Sequence, residues 1–234
     1  ESWPVPHGVA PVVVAADGTA VALTDRPAAY DSEIEPRPAT HVVVVNGTSG
    51  AISHDLDLIG DVEPEAFSVD HQNLFALDHR GDHYRVQTIL LTTGERSDLI
   101  DRDKQPADDM RGRAVHGVMS TDRRQLATLY VNPENLDEPA FVHVLDLSGS
   151  SYCVHLPDKF ANGPARSQSI ERTADDRIVV RNPTIDRRTS FSLSAIAAGQ
   201  NVMPATKSAA GTAPDAPYRA IDGFRVLVAV LPSG

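Results

Sequence analysis

An aspartate-bearing turn that returns every fifty-two or fifty-three residues, followed in the first three instances by a strand, a glycine turn and another strand, predicts an all-β fold. The units read as four-stranded antiparallel blades, and the fold class is a β-propeller. The turns are "AADGTAVALT" at Asp17, "SVDHQNLFALD" at Asp70, "STDRRQLATLY" at Asp122 and "TADDRIVVRN" at Asp175, spaced by 53, 52 and 53 residues. A fifth, "AIDGFRVLVAV" at Asp222, follows after 47. No convincing amphipathic helix interrupts the series; "SLSAIAAG" at Ser192–Gly199 reads as a short turn.

Each unit is justified strand by strand. The aspartate turn joins strand A to strand B, because Asp and Gly bond their own backbone or tolerate the conformations that a tight turn needs. The downstream pair supplies strands C and D: "THVVVVNGTSGAISHDL", "YRVQTILLTTGERSDLI" and "FVHVLDLSGSSYCVHL", with turns at Gly50, Gly94 and Gly149. In the third unit A is "RAVHGVMS", B is "QLATLYV", C is "AFVHVLDL" and D is "SYCVHL". Both faces of each sheet are rich in Val, Leu and Ile, as expected where blades pack on neighbours. A sandwich would also give short strands, but not a turn at a near-constant interval.

The units fall at about 9–60, 61–105, 106–160, 161–202 and 214–234 within one domain spanning 1–234. The Ala-, Pro-, Thr- and Ser-rich stretch 203–217 is linker-like. The fifth unit stops after two strands. Either the N-terminal segment completes it and closes the ring, since open edges invite aggregation, or the ring is larger than this chain.

Composition bounds the partners. Apolar residues make up 41% and charged residues 23%, ordinary values for a globular chain. The net charge of −11 argues against nucleic acid and anionic lipid, which need clustered Lys and Arg. The lone Cys153 excludes an internal disulfide and reads as a small buried hydrophobe. No apolar run approaches the roughly 18 residues of a membrane span. The opening "ESWPVPHG" lacks Met and a signal peptide, which suggests a processed chain whose upstream anchor has been removed.

"TLYVNPE" at Thr128–Glu134 followed by "FVHVLDLSG" at Phe141–Gly149 resembles the blade signature of YVTN-type, WD-repeat-like bacterial propellers. Tyr130, Val131 and Asn132 match that signature without its Thr. The order "MRGRAVHGVMSTDRRQLATLYVN…PAFVHVLDL…YCVHLP" is similar to secreted or envelope-anchored propellers of actinobacteria. The resemblance spans roughly Val9 to Val180. It implies the fold and an extracytoplasmic location, and it transfers no catalytic residues, because sites are grafted onto folds.

Long B–C loops and D–A connections share one face of such a fold, and that face usually binds. The B–C loops are Asp25–Ala39, Asp78–His83 and Asn132–Pro139, and they are acidic: Asp31, Glu33, Glu35, Asp78, Asp82, Glu134, Asp137 and Glu138. They form either a negative rim for a cationic partner or divalent ion, or plain solvated loops. Asp78, His79, Asp82 and His83 would hold a metal only with a further ligand from another blade. Otherwise they are a turn at Gly81. "DDMRGRAVHG" at Asp108–Gly117 leads into strand A, expected to line the central channel, where Met110, Arg111, Arg113 and His116 are candidate binding residues. The alternative pairs the arginines with Asp108 and Asp109. Glu171, Arg172 and Arg219 are further candidates on inner strands.

No Gly-x-Ser-x-Gly elbow, dinucleotide loop, P-loop or His-Glu-x-x-His occurs, so no catalytic residue and no cofactor is assigned. The leading expectation is a non-enzymatic envelope or secreted module that holds a protein or small ligand at the loop-rich face or central opening. The alternatives are a propeller hydrolase or lactonase with a central metal, and an accessory subunit of a membrane complex tethered by the absent N-terminal anchor.

Overall fold

A computed structural model describes residues 3–25, 37–81, 83–101, 109–132, 140–157, 160, 167–194 and 205–208. The chain divides into two compact units, with the boundary in sequence between Leu99 and Ile100. Each carries two antiparallel sheets of the four-stranded blade type, so the fold class is the all-β β-propeller.

In unit one the first sheet runs β1 (Ala10–Val14), β2 (Ala20–Thr24), β3 (Ala39–Asn46) and β4 (Ile52–Ile59), each strand pairing with the next. The second runs β5 (Asp61–Phe67), β6 (Asn73–His79), β7 (His83–Leu90) and β8 (Arg96–Asp98). Side chains alternate between faces along a strand, and in "HVVVVN" both faces are buried. Val42 and Val44 join Val13, Ala15 and Ala22 in a core with Val62, Phe67, Leu74, Ala76 and Ile89 of the second sheet. Val43 and Val45 point the other way, with Val21 and Leu23, and are covered by Trp3, Val5 and Val9. The Trp3 indole N–H donates to the Gly47 carbonyl at 3.1 Å, which fixes that cover at one end of the sheet. Gly47 admits no side chain: a Cβ there would lie 2.1 Å from the Gly18 carbonyl oxygen.

In unit two β9 (Ile100–Asp101) and β10 (Met110–Arg111) precede β11 (Arg113–Met119), β12 (Gln125–Val131), β13 (Phe141–Asp146) and β14 (Ser150–His155). The third sheet has the order β11-β12-β13-β14-β9. Its last member is added in parallel, Ser150 opposite Ile100 and Ser151 opposite Asp101. The fourth sheet runs β15 (Ser169–Arg172), β16 (Arg177–Asn182), β17 (Arg187–Ser192) and β18 (Ala205–Ser208). Leu129, Val142, Val144 and Tyr152 of the third sheet pack on Ile170, Ile178, Val180 and Phe191 of the fourth. A 3-10 turn, Pro183–Ile185, links β16 to β17 and is capped by the Asn182 side chain.

Two boundaries differ from the expectation. Ala205–Ser208, inside the stretch read as linker-like, is β18, the fourth strand of its sheet. Ile100–Asp101, placed at the end of the second unit, is the outer strand of the third sheet. Composition misleads in "MPATKSAA" because a four-residue edge strand needs only a backbone partner. The expected fifth unit at 214–234 lies outside the described residues.

Candidate functional site

The Asp78–His83 segment is a short connection between β6 and β7, not a long loop. Gly81, at φ 79°, takes the left-handed conformation the turn requires, and the Arg80 N–H donates to the His83 carbonyl at 2.8 Å. Asp78 accepts from Arg80 Nε at 3.0 Å and from an Arg80 terminal nitrogen at 2.8 Å, and Arg96 stands 3.6 Å away. His79 Nε2 sits 2.9 Å from Glu63 Oε2, and its ring packs on Tyr84 at 5.8 Å. Adjacent strand residues face opposite sides of the sheet, so Asp78 and His79 diverge. Asp82 lies outside the described residues. Among the described residues no three His, Cys, Asp or Glu side chains are grouped to hold a metal.

The second set of candidates is placed by register. Met110 is buried, and the Cys153 thiol faces its sulfur at 4.0 Å, so this side chain packs rather than presents itself. Arg111 is exposed; Arg113 and His116 are half-buried on β11. The register shifts at Val115: Ala114 opposes Tyr130, while His116 opposes Leu129. This bulge puts Arg113 and His116, three residues apart, on one face, the one that carries Leu129 and Val131 toward the fourth sheet. Arg172 lies on the facing side of β15 with Ile170, whereas Glu171 points away and pairs with Arg181, Nε to Oε1 at 2.9 Å. Arg219 and Asp108 lie outside the described residues. Alternation alone would have separated Arg113 from His116, and nothing local in "RAVHGVM" announces the bulge.

At the opposite end of the sheets, the repeated turns form a hydrogen-bonded device that the aspartates alone only hinted at. Ser68 Oγ donates to Asp70 at 2.6 Å, Ser120 Oγ to Asp122 at 2.7 Å and Thr173 Oγ1 to Asp175 at 2.5 Å. The N–H two residues on donates to the same carboxylate in two of them, Gln72 and Arg124, each at 3.1 Å. In the first turn Thr19 supplies both donors, N–H at 2.9 Å and hydroxyl at 2.8 Å. These bonds hold Asp70, Asp122 and Asp175 below the ordinary aspartate value, the hydroxyl contributing most. At Asp17 burial works upward, but the Thr19 donors and His71 outweigh it and the net direction is down.

The residue after each aspartate takes a left-handed conformation: Gly18, His71, Arg123 and Asp176. From that position His71 and Asp176 each reach the turn of the neighbouring sheet in their own unit. His71 Nδ1 lies 3.3 Å from Thr19 Oγ1 and its Nε2 3.4 Å from Asp17. Asp176 accepts from the Thr121 N–H at 3.1 Å and hydroxyl at 2.9 Å, and Arg172 also donates to that hydroxyl. The signal in the sequence was Ser or Thr two residues before Asp70, Asp122 and Asp175, and Thr two residues after Asp17.

Asp25 closes the base of the longest connection, which joins β2 to β3. It accepts from Arg37 and, at 3.0 Å, from the His41 N–H. Burial raises its carboxyl, but Arg37 and the His41 donor outweigh this and hold it below the usual range. On the same sheet the His41 ring stands between two aspartates of β4, Nδ1 at 2.9 Å from Asp57 and Nε2 at 3.5 Å from Asp55.

No family model matches the chain, and no curated protein matches it. Among solved structures 109 chains resemble it. An oligogalacturonate lyase in complex with manganese matches with a TM-score of 0.51 at 10% identity, covering 94% of this chain and 58% of that one. The β-propeller domain of the Trilobed protease from Pyrococcus furiosus matches at 0.45 and 14% identity, over 79% and 54% of the two chains. TolB from Acinetobacter baumannii matches at 0.42 and 14%, over 79% and 41%. The chain thus spans about half the length of these structures, and the likeness concerns the fold alone.

Proposed function

We propose that the chain is a binding or scaffold module that takes its partner at the end of the first sheet bearing the long connection from β2 to β3. The observation that carries this is the difference between the two ends. The turns centred on Asp17, Asp70, Asp122 and Asp175 consume their polar groups in bonds to themselves and to the next turn. At the other end the connection between Thr24 and Ala39 is long and acidic, and its base is clasped by Asp25 and Arg37. A rigid scaffold carrying long loops is the usual arrangement for recognition, and the acidic sequence favours a cationic face on the partner.

The carboxylates held below their ordinary value, Asp17, Asp25, Asp70, Asp122 and Asp175, belong to turns and a loop base and are not themselves candidates for acid–base chemistry. Each has structural donors that account for its shift, whereas catalytic acids and bases are tuned toward the working pH. The location and kinship we propose, an envelope or secreted YVTN-type propeller, rest on the resemblance of "TLYVN…FVHVLDLSG" to that group.

The test is capture of a partner from envelope extracts by the intact chain and by a variant in which residues 27–35 are replaced with a short Gly-Ser bridge. A partner retained by the first and lost by the second, at unchanged Tm, supports the reading. Equal capture by both overturns it. A stoichiometric divalent metal in the purified chain would overturn it in favour of the hydrolase reading.

A further inference from the structure

We propose that strand β4, the outer edge of the first sheet, is a strand-addition site for an extended basic peptide. This surface is separate from the loop end, and the inference does not depend on that reading. β4 has eight residues and, among the described residues, pairs only with β3 as the last strand of its sheet. A sheet edge presents a row of backbone donors and acceptors that another extended chain can satisfy. The same molecule shows the reaction of an edge with such a chain: β14, in the same position of the third sheet, carries Ile100–Asp101 as an added parallel strand. Among the described residues no segment does this for β4. Among the described residues its outer backbone takes a bond from the Arg96 side chain, at the Ile59 carbonyl at the far end.

Side chains specify the occupant. Register places Ile52, Asp55, Asp57 and Ile59 on one face of β4, because the bulge at Ser53 returns Ile52 to the side of Asp55. Ile52 is 54% exposed and Ile59 is 79% exposed, rare for large apolar residues here; the Asp55 and Asp57 side chains are 60% and 88% exposed. The row reads apolar, acid, acid, apolar. Cross-strand neighbours attract when opposite in charge and repel when alike. A second copy pairing antiparallel on this edge would set aspartate against aspartate, so the edge rejects itself. A strand with two alternate cationic residues flanked by apolar ones complements it. The His41 ring of β3 stands between Asp55 and Asp57 on this face, and both carboxylates stay largely exposed.

The test uses the full chain and the fluorescent heptapeptide Val-Thr-Lys-Thr-Lys-Thr-Val, capped at both ends, in an anisotropy titration. Saturable binding is expected, weakening as salt rises. At least a tenfold loss is expected for the Asp55→Lys/Asp57→Lys variant, whose unaltered circular dichroism melt shows that it folds. A similar loss is expected for a peptide N-methylated at every residue, which keeps the charge but has no backbone N–H to donate to the ladder on either edge. Amides of residues 52–59 should gain hydrogen-exchange protection with the peptide. Equal binding of the N-methylated peptide, no binding, or a concentration-dependent dimer that the peptide fails to dissociate would overturn the proposal. The variant shortened at 27–35 should bind the peptide as the intact chain does, which separates this outcome from the fate of the loop reading.

Discussion

In three of the turns the serine or threonine two residues before the aspartate, Ser68, Ser120 or Thr173, does two jobs. Ser120 Oγ donates to Asp122 and accepts the N–H of Gln125 at 2.9 Å, so one buried hydroxyl closes the turn from both sides. Replacing it with alanine leaves those groups without it, and Ser120→Ala should cost about 1–2 kcal/mol in urea unfolding. The carboxylates it and its counterparts support are held below their ordinary value. A group lowered on folding contributes stability that is present above its unfolded value and lost as pH falls through its folded value. The urea midpoint should therefore be insensitive to these groups from neutrality down to about pH 4, the unfolded aspartate range, and fall below it. The Ser68→Ala/Ser120→Ala double variant should start lower and fall less steeply, because its aspartates are closer to ordinary. A midpoint that fell equally in both would rule out this origin.

At the scale of the element, the close fit of turns sets what each strand end tolerates. The Gly47 N–H donates to the Thr19 carbonyl at 2.8 Å, so the third-to-fourth-strand turn lies directly on the first-to-second-strand turn. Backbone on backbone cannot yield as a flexible side chain can. Gly47→Ala should destabilise by about 2 kcal/mol or more, at the upper end of single substitutions, whereas Gly81→Ala meets open space and is strained only by its φ. Thermal melts of the two variants would compare clash with backbone preference directly. Hairpin signals in "VNGTSG" and "DLSGSS" were legible because turn chemistry is local. The bulge at Val115 was not, because it is defined by the residue opposite it on β12.

At the scale of the whole molecule, the two sheets within each unit are joined by apolar faces and by the staples between turns. Ile178 is fully buried between the third and fourth sheets, and Ile178→Ala should cost about 2–5 kcal/mol by the cavity it leaves. The Thr121–Asp176 staple is more exposed; a double-mutant cycle should give a coupling of about 0.5–1 kcal/mol. Trp3 covers the second face of the first sheet over Val21, Leu23, Val43 and Val45. Trp3→Ala should bare that face and raise binding of a hydrophobic dye, at a cost of about 2 kcal/mol. Unchanged dye binding would show that Val5 and Val9 suffice as cover.

By itself the sequence determined the repeat, the four-stranded unit and the alternation that buries both faces of strands such as "HVVVVN". These follow from turn chemistry and side-chain period, which act over a few residues. It also marked the turn aspartates, though not their partners. Only the tertiary structure decided that Asp78 and His79 diverge into separate ion pairs and that Arg113 and His116 share a face. The same holds for Ala205–Ser208 as a strand, and for β14 having a covered edge where β4, among the described residues, has an open one. In each case the deciding partner lies on another strand, and which strand stands there is set by long-range register, which no local pattern encodes.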